Sequence, residues 1–212
     1  MVHIEKFSYL DIDDLCANTY VVFDENKNCV VIDPSVDNDG IIKYINKNNL
    51  NLKLILLTHG HFDHIRGVNR LCANYPEAKL LIHHLDELML KDPFINGSAD
   101  MDEEIVIKTE PILLNGDETL DVLEDPIKVI HTPFHTKGSV CYYFINNKYL
   151  FSGDTLFKNS IGRDDLPNAD PSKVYQSLDK IKKLPRETKI YPGHGSNTIL
   201  DNELSYNYFL SR

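Results

Sequence analysis

The stretch Lys53-Leu54-Ile55-Leu56-Leu57-Thr58-His59-Gly60-His61-Phe62-Asp63-His64 decides how the rest of the sequence is read. Its first part, Lys53–Leu57, is a nearly continuous apolar run, the pattern of a strand buried on both faces. The run stops at Thr58, and a turn follows with three imidazoles and one carboxylate in six residues. They stand at i, i+2, i+4 and i+5, a spacing that no single helix face presents together. In a turn after a strand they split, His59 and His61 facing one point, Asp63 and His64 another. Imidazole nitrogen and carboxylate oxygen suit zinc, and also iron and manganese, where no thiolate is offered. Alone, this cluster allows one or two metal ions.

Outward from it, strands and helices alternate. Tyr20–Phe23 and Cys29–Ile32 are β-branched runs joined by a polar turn, a hairpin closed by Asp33-Pro34. Gly40–Asn48 carries Ile41, Ile42 and Ile45 at helical spacing, with Asp39 as the expected cap. A helix over Ile65–Asn74, a strand at Lys79–Ile82 and a short helix near Leu85–Leu90 follow. Lys91–Pro111 has weak periodicity and is expected to be a long surface excursion, the kind of segment that often serves as a lid. Ile127–Ile130 reads as a strand ending at His131, and Ser139–Ile145 with Lys148–Ser152 as a hairpin around Asn146-Asn147. Asp170-Pro171 opens a helix with Val174, Leu178, Ile181 and Leu184 on one face. Lys189–Tyr191 is a last short strand before a C-terminal helix.

A pattern recurs in both halves, an apolar strand followed by a Gly-rich, His- or Asp-bearing loop. His131-Thr132-Pro133-Phe134-His135, Ser152-Gly153-Asp154 and Gly193-His194-Gly195 each follow a strand. Any one of them is weak evidence. Together they place ligand-type groups along one edge of the sheets, where sites form in layered α/β proteins, and they favour two metals over one.

With these pieces in hand, the sequence resembles the metallo-β-lactamase superfamily and, within it, the glyoxalase II-like hydrolases. The H-x-H-x-D-H motif of His59–His64 is intact. H-T-P-F-H-T-K-G-S (131–139), S-G-D-T-L-F (152–157), I-G-R-D-D-L-P (161–167) and Y-P-G-H-G (191–195) follow in the family's order. The resemblance runs from the Cys29–Pro34 strand to the end. It implies an α/β fold, a four-layer αββα sandwich, as a single hydrolase domain over residues 1–212. Carried over position by position, it implies one metal on His59, His61 and His135, a second on Asp63, His64 and His194, and Asp154 bridging. Two divalent ions are implied, zinc first, with iron or manganese as alternatives. His131 matches a position that is not a ligand, and His83, His84 and His3 have no assigned role. Phe134, Ser35 and Asn168 stand where such proteins often carry glycine (or, at 134, cysteine); none is a ligand.

The function so implied is thioester hydrolysis. A hydroxide bridging two divalent metals about 3.5–4 Å apart attacks the carbonyl of a (hydroxy)acyl thioester of a small thiol. Asp63, besides its ligand role, is expected to orient the nucleophile. No general acid is evident, and a thiolate with a parent pKa near ~8.5 needs none. Arg163, nine residues after Asp154, is the expected contact for a substrate carboxylate, so an anionic thioester is the expected partner. The resemblance ends at Arg212, before the helical domain by which full-length glyoxalase II grips glutathione, and the thiol carrier stays open. The alternative within the same superfamily is a persulfide (sulfur) dioxygenase with one iron on His59, His135 and Asp154, a relative that shares both H-x-H-x-D-H and the G-R-x-D run around Arg163 and Asp165.

Composition excludes other classes. The 212 residues carry 22 Lys+Arg against 32 Asp+Glu, a formal net charge of −10, which disfavours nucleic acid. No apolar run nears the ~20 residues of a membrane span, and the first fifteen residues lack a basic segment followed by an apolar core. The four cysteines stand apart, without a C-x-x-C pair, as small buried groups of a reducing compartment. A cytoplasmic enzyme is therefore expected, of unspecified oligomeric state.

Overall fold

The computed structural model describes residues 1–8 and 16–211; residues 9–15, part of the segment read above for a leader, and residue 212 lie outside. Two six-stranded sheets face each other. The first joins β1 (Val2–Phe7), β2 (Thr19–Asp24), β3 (Asn28–Ile32), β4 (Asn51–Leu56), β5 (Lys79–His83) and β6 (Ile112–Leu114) in chain order. β1 to β3 pair antiparallel, and β3 to β6 pair parallel. The second sheet has the order β12-β11-β10-β9-β8-β7. Its strands are β7 (Thr119–Leu120), β8 (Ile127–His131), β9 (Val140–Phe144), β10 (Tyr149–Gly153), β11 (Lys189–Pro192) and β12 (Thr198–Ile199). Only β10 and β11 pair in parallel there.

Side-chain alternation explains the layering. Val22 and Val30 point inward with Leu54 and Leu56, meeting Ile127, Val129, Tyr142, Phe144 and Phe151 of the facing sheet. Their sequence neighbours Val21, Val31 and Ile55 point outward and are covered by Ile41, Ile42 and Ile45 of α1 (Gly40–Lys47) and by Val68 and Leu71 of α3 (Val68–Asn74). On the far side, Cys141, Tyr143, Leu150 and Ile190 are covered by Val174, Leu178 and Ile181 of α5 (Val174–Lys182) and Leu200 of α6 (Leu200–Tyr206). Both sheets are buried on two faces, which makes the fold the expected αββα sandwich.

Several local expectations change. The helix expected over Ile65–Asn74 is two, α2 (Phe62–Ile65) and α3, broken at Gly67. Its N–H donates to Pro34 O (2.8 Å), and a Cβ there would lie 2.5 Å from Val36 O. Asp39 does not cap α1, because Arg70 takes its carboxylate (3.1 Å); Asn38 Oδ1 accepts the Gly40 N–H instead (2.8 Å). The Lys91–Pro111 excursion is more ordered than its pattern suggests. Asp92 caps α4 (Pro93–Asn96), buried Asn96 donates to Met89 O and Ile105 O, and Ile107 is buried in the outer core. Leu85–Leu90 forms a 3₁₀ segment, His84–Leu90. All four cysteines are free, three of them buried. Among the described residues, no helix is long and apolar enough to cross a membrane.

Candidate metal centre

The strand-end positions of both sheets meet at one edge of the sandwich. β4 leads into His59 and His61, and α2 carries Asp63 and His64. The loop after β8 brings His135, the end of β10 brings Asp154, and the loop after β11 brings His194. Three groups of donor atoms result, each within 4.8 Å: His59, His61 and His135; Asp63, His64 and His194; and His59, His64 and Asp154. The carboxylate of Asp154 lies between the first two groups. Its Oδ2 is 3.5 Å from His135 Nε2 and 3.6 Å from His194 Nε2, and its Oδ1 is 3.3 Å from His64 Nε2. All seven side chains expected as ligands are thus brought together.

Their hydrogen bonds determine which atoms face the centre. His64 Nδ1 donates to Asp33 Oδ2 (2.9 Å), and His135 Nδ1 donates to Arg163 O (2.7 Å), leaving the Nε2 lone pair of each pointing inward. His61 Nδ1 lies 3.0 Å from His135 Nε2. Among the described residues, the buried Nε2 atoms of His59, His61 and His64 and the Oδ1 of Asp154 have no hydrogen-bond partner; the 3.3 Å approach of His64 to Asp154 is not aligned as one. Buried polar atoms are rarely left this way. Four converging orphan atoms of nitrogen and oxygen type fit divalent cations.

The electrostatics divide the cluster. Burial, reinforced by the imidazoles of His64, His135 and His61, holds His59 well below the ordinary histidine range. Burial and His135 push His61 down to about 3. Both favour the neutral form, the one in which an imidazole ligates a metal. Burial also opposes charge on His64, but Asp63, Asp154 and Asp33 outweigh it and raise that imidazole. His194 is raised in the same way, its contact with Asp63 (3.1 Å) prevailing over burial. Asp63 and Asp154 are held low against their burial, chiefly by His64.

Glycine makes the convergence possible. A Cβ on Gly193 would lie 2.3 Å from Asp154 Oδ1 and 2.7 Å from His64 Cε1. Gly153, at φ +48°, lets β10 turn where a Cβ would strike Thr58 Oγ1 at 2.4 Å.

The donors open into a cavity of about 530 Å³, a size that suits a small-molecule ligand. Phe62, Ile95, Phe157, Leu166 and Pro167 give it apolar walls, and among the described residues Arg163 is its one cationic side chain outside the histidines. Arg163 also donates twice to Asp165 (2.7 and 3.0 Å), which leaves its remaining N–H groups for a ligand. Ile95, Asn96 and Gly97 place part of the Lys91–Pro111 segment in the cavity wall.

His131 is outside the centre: its Nε2 donates to Lys137 O (2.8 Å), and its ring stacks on His83 at 4.0 Å, with His84 next in line. His3 pairs with Glu25 at the surface (2.8 Å). Two residues escaped the sequence reading. Asp33 accepts from His64, Thr58 N and Thr58 Oγ1, and its position directly after a strand was the available signal. Asp86, fully buried behind the His59–His61 turn, is pushed up to about 6 by its burial. Nothing in its local pattern marks it.

Comparisons with known proteins identify the family. The chain is 31% identical over 97% of its length to the probable metallo-hydrolase YqgX of Bacillus subtilis, covering 98% of that protein. It is 38% identical over 83% of its length to a hydroxyacylglutathione hydrolase of Pelagibacter ubique, of which it spans 65%. Among solved structures, the BLEG-1 B3 metallo-beta-lactamase superposes with a TM-score of 0.91 at 33% identity, covering 99% of this chain and 100% of that one. TTHA1623 in a di-iron-bound form superposes at 0.84 with 32% identity, covering 94% and 98%. Residues 13–194 match the metallo-beta-lactamase superfamily domain, and the chain belongs to that superfamily.

Proposed function

We propose that this chain is a binuclear metal-dependent hydrolase that cleaves a (hydroxy)acyl thioester of a small thiol. The observation that carries the reading is the pair of donor sets sharing the Asp154 carboxylate, at the floor of an apolar cavity with one arginine at its wall. His59, His61 and His135 would hold one divalent ion and Asp63, His64 and His194 the other. Bound there, the ions would bring the pKa of water toward ~7 and polarise a carbonyl. The chain's own residues do the rest. Asp63 accepts a hydrogen bond from the attacking water. Phe62, Phe157, Leu166 and Pro167 exclude bulk solvent and seat the acyl chain, while Arg163 takes a carboxylate of the substrate. The thiolate departs without a proton donor. The similarity to a hydroxyacylglutathione hydrolase supports the thioester class.

The one-iron dioxygenase is the alternative reading; that relative shares the H-x-H-x-D-H motif, so the donor sets serve both and the number and kind of bound metal separate them. Zinc is the expected metal, and TTHA1623, similar to this chain, has been seen with two irons. The test is to assay S-lactoylglutathione beside acyl thioesters of smaller thiols, with metal content measured on the same sample. Hydrolysis that disappears on chelation and returns with Zn²⁺ is expected. Full thioesterase activity in metal-free protein, or oxygen uptake on a persulfide with one iron bound, would overturn the proposal.

A further inference from the structure

Behind the metal centre, Asp86 gathers donors from three separate segments. Its Oδ1 accepts from Gly138 N (2.8 Å) and Asn168 Nδ2 (2.9 Å), and its Oδ2 from Thr136 Oγ1 (2.6 Å) and Gly60 N (3.3 Å). All four partners are neutral, and Asp86 is fully buried. A carboxylate in that setting is costly unless its bonds are all made, so its position demands an explanation beyond packing.

Three of the four donors lie within three residues of a ligand. Gly60 lies between His59 and His61, and Thr136 follows His135 directly. Gly138 closes the same turn so tightly that a Cβ would lie 2.6 Å from the Asp86 carboxylate. Asn168 ends the segment that begins at Arg163, whose carbonyl orients the His135 ring. The backbone of Asn168 is left-handed, at φ +68°, a conformation asparagine tolerates. Its carbonyl accepts from Lys137 N (2.9 Å) while its side chain reaches Asp86. A glycine there would keep the turn and lose the second bond.

We propose that Asp86 and Asn168 are positioning residues for the first metal site: they clamp the His59–His61 turn, the His135 turn and the Arg163–Asn168 cavity wall into one unit. The inference rests on the metal-site reading above. Through this clamp the cavity wall and the His135 ligand are coupled, since both hang from the Arg163–Asn168 segment.

The test is a titration of the metal-free, full-length protein with Zn²⁺ against a chromophoric chelator, beside melting of the metal-free form. Asp86→Asn replaces two of the four acceptor contacts by clashing N–H groups. It should weaken one of the two Zn²⁺ equivalents by about 10–100-fold, the usual effect of losing a group that orients a ligand, and leave the other unchanged. Asn168→Gly should weaken the same equivalent by a smaller factor. Asp125→Asn alters a buried carboxylate that accepts from Asn146 N and Asn147 N in the β9–β10 turn, away from the site. It should lower the melting temperature and leave both equivalents as they were. An Asp86→Asn protein that melts lower yet binds both ions like the wild type would overturn the proposal. Should that variant fail to fold, unchanged binding in Asn168→Gly overturns it equally. The titration reads no thioester, so absent thioesterase activity with the predicted Zn²⁺ losses refutes only the substrate reading. Wild-type protein that takes up no Zn²⁺ refutes the metal site and this inference together.

Discussion

Asp33 is the residue on which the inner half of the centre hangs. One carboxylate receives Thr58 N, Thr58 Oγ1 and His64 Nδ1, all of them buried. Replacing it by alanine removes the shared acceptor of three buried donors, at roughly 1–3 kcal/mol for each one left unpaired. Asp33→Ala should therefore lose about 3 kcal/mol or more in denaturant unfolding and weaken the ion on Asp63, His64 and His194; unchanged unfolding and metal affinity would refute this role. At this scale the candidate ligands were legible because metal chemistry uses few residue types at short spacing. His59, His61, Asp63 and His64 announce themselves in one turn. Asp33 and Asp86 do not, because their roles are set by tertiary partners. Those of Asp86 lie 26, 50, 52 and 82 residues away, and no window of sequence contains them.

At the scale of elements, the strands that carry the site were the readable ones. β3, β4, β8, β10 and β11 are apolar enough to show themselves, and the loops after them follow. β6, β7 and β12 have three, two and two residues, too few for a period of two to register, and β1 went unread although Val2 and Ile4 alternate toward the inner core. The ends of β5 and β8 hold a second histidine group. His83 is lowered to about 4, by burial first and then by His131, and His131 is itself lowered by burial. Both favour the neutral form when folded. Their contribution to stability is complete above about pH 6.5 and is lost as the pH falls toward 4. Melting of the metal-free protein between pH 7.5 and 4.5 should decline more steeply in the wild type than in His83→Phe, which keeps a ring against His131 and removes the titration. Parallel curves would show that the stack does not contribute to the pH response.

For the whole molecule, the sandwich supplies two rigid sheets whose loop-bearing edges face one another, so ligands separated by up to 135 positions, from His59 to His194, converge without a long excursion of the chain. The inner core fixes that juxtaposition. Phe151→Ala, at a fully buried position between the sheets, should cost about 3–5 kcal/mol. Because metal binds the folded chain far better than the unfolded one, chelation should also lower the melting temperature, an effect of about 4 kcal/mol when free metal stands at 1,000 times its Kd. The net charge of −10 was legible at once, but it describes the exterior; the convergence of imidazoles and carboxylates within it needed the fold. Elemental analysis of the purified chain beside its His135→Ala and His194→Ala variants tests that convergence most directly. Two divalent ions per chain in the wild type and one in each variant are predicted, whereas a wild type holding no more than one, or variants that retain two, would contradict the paired centre.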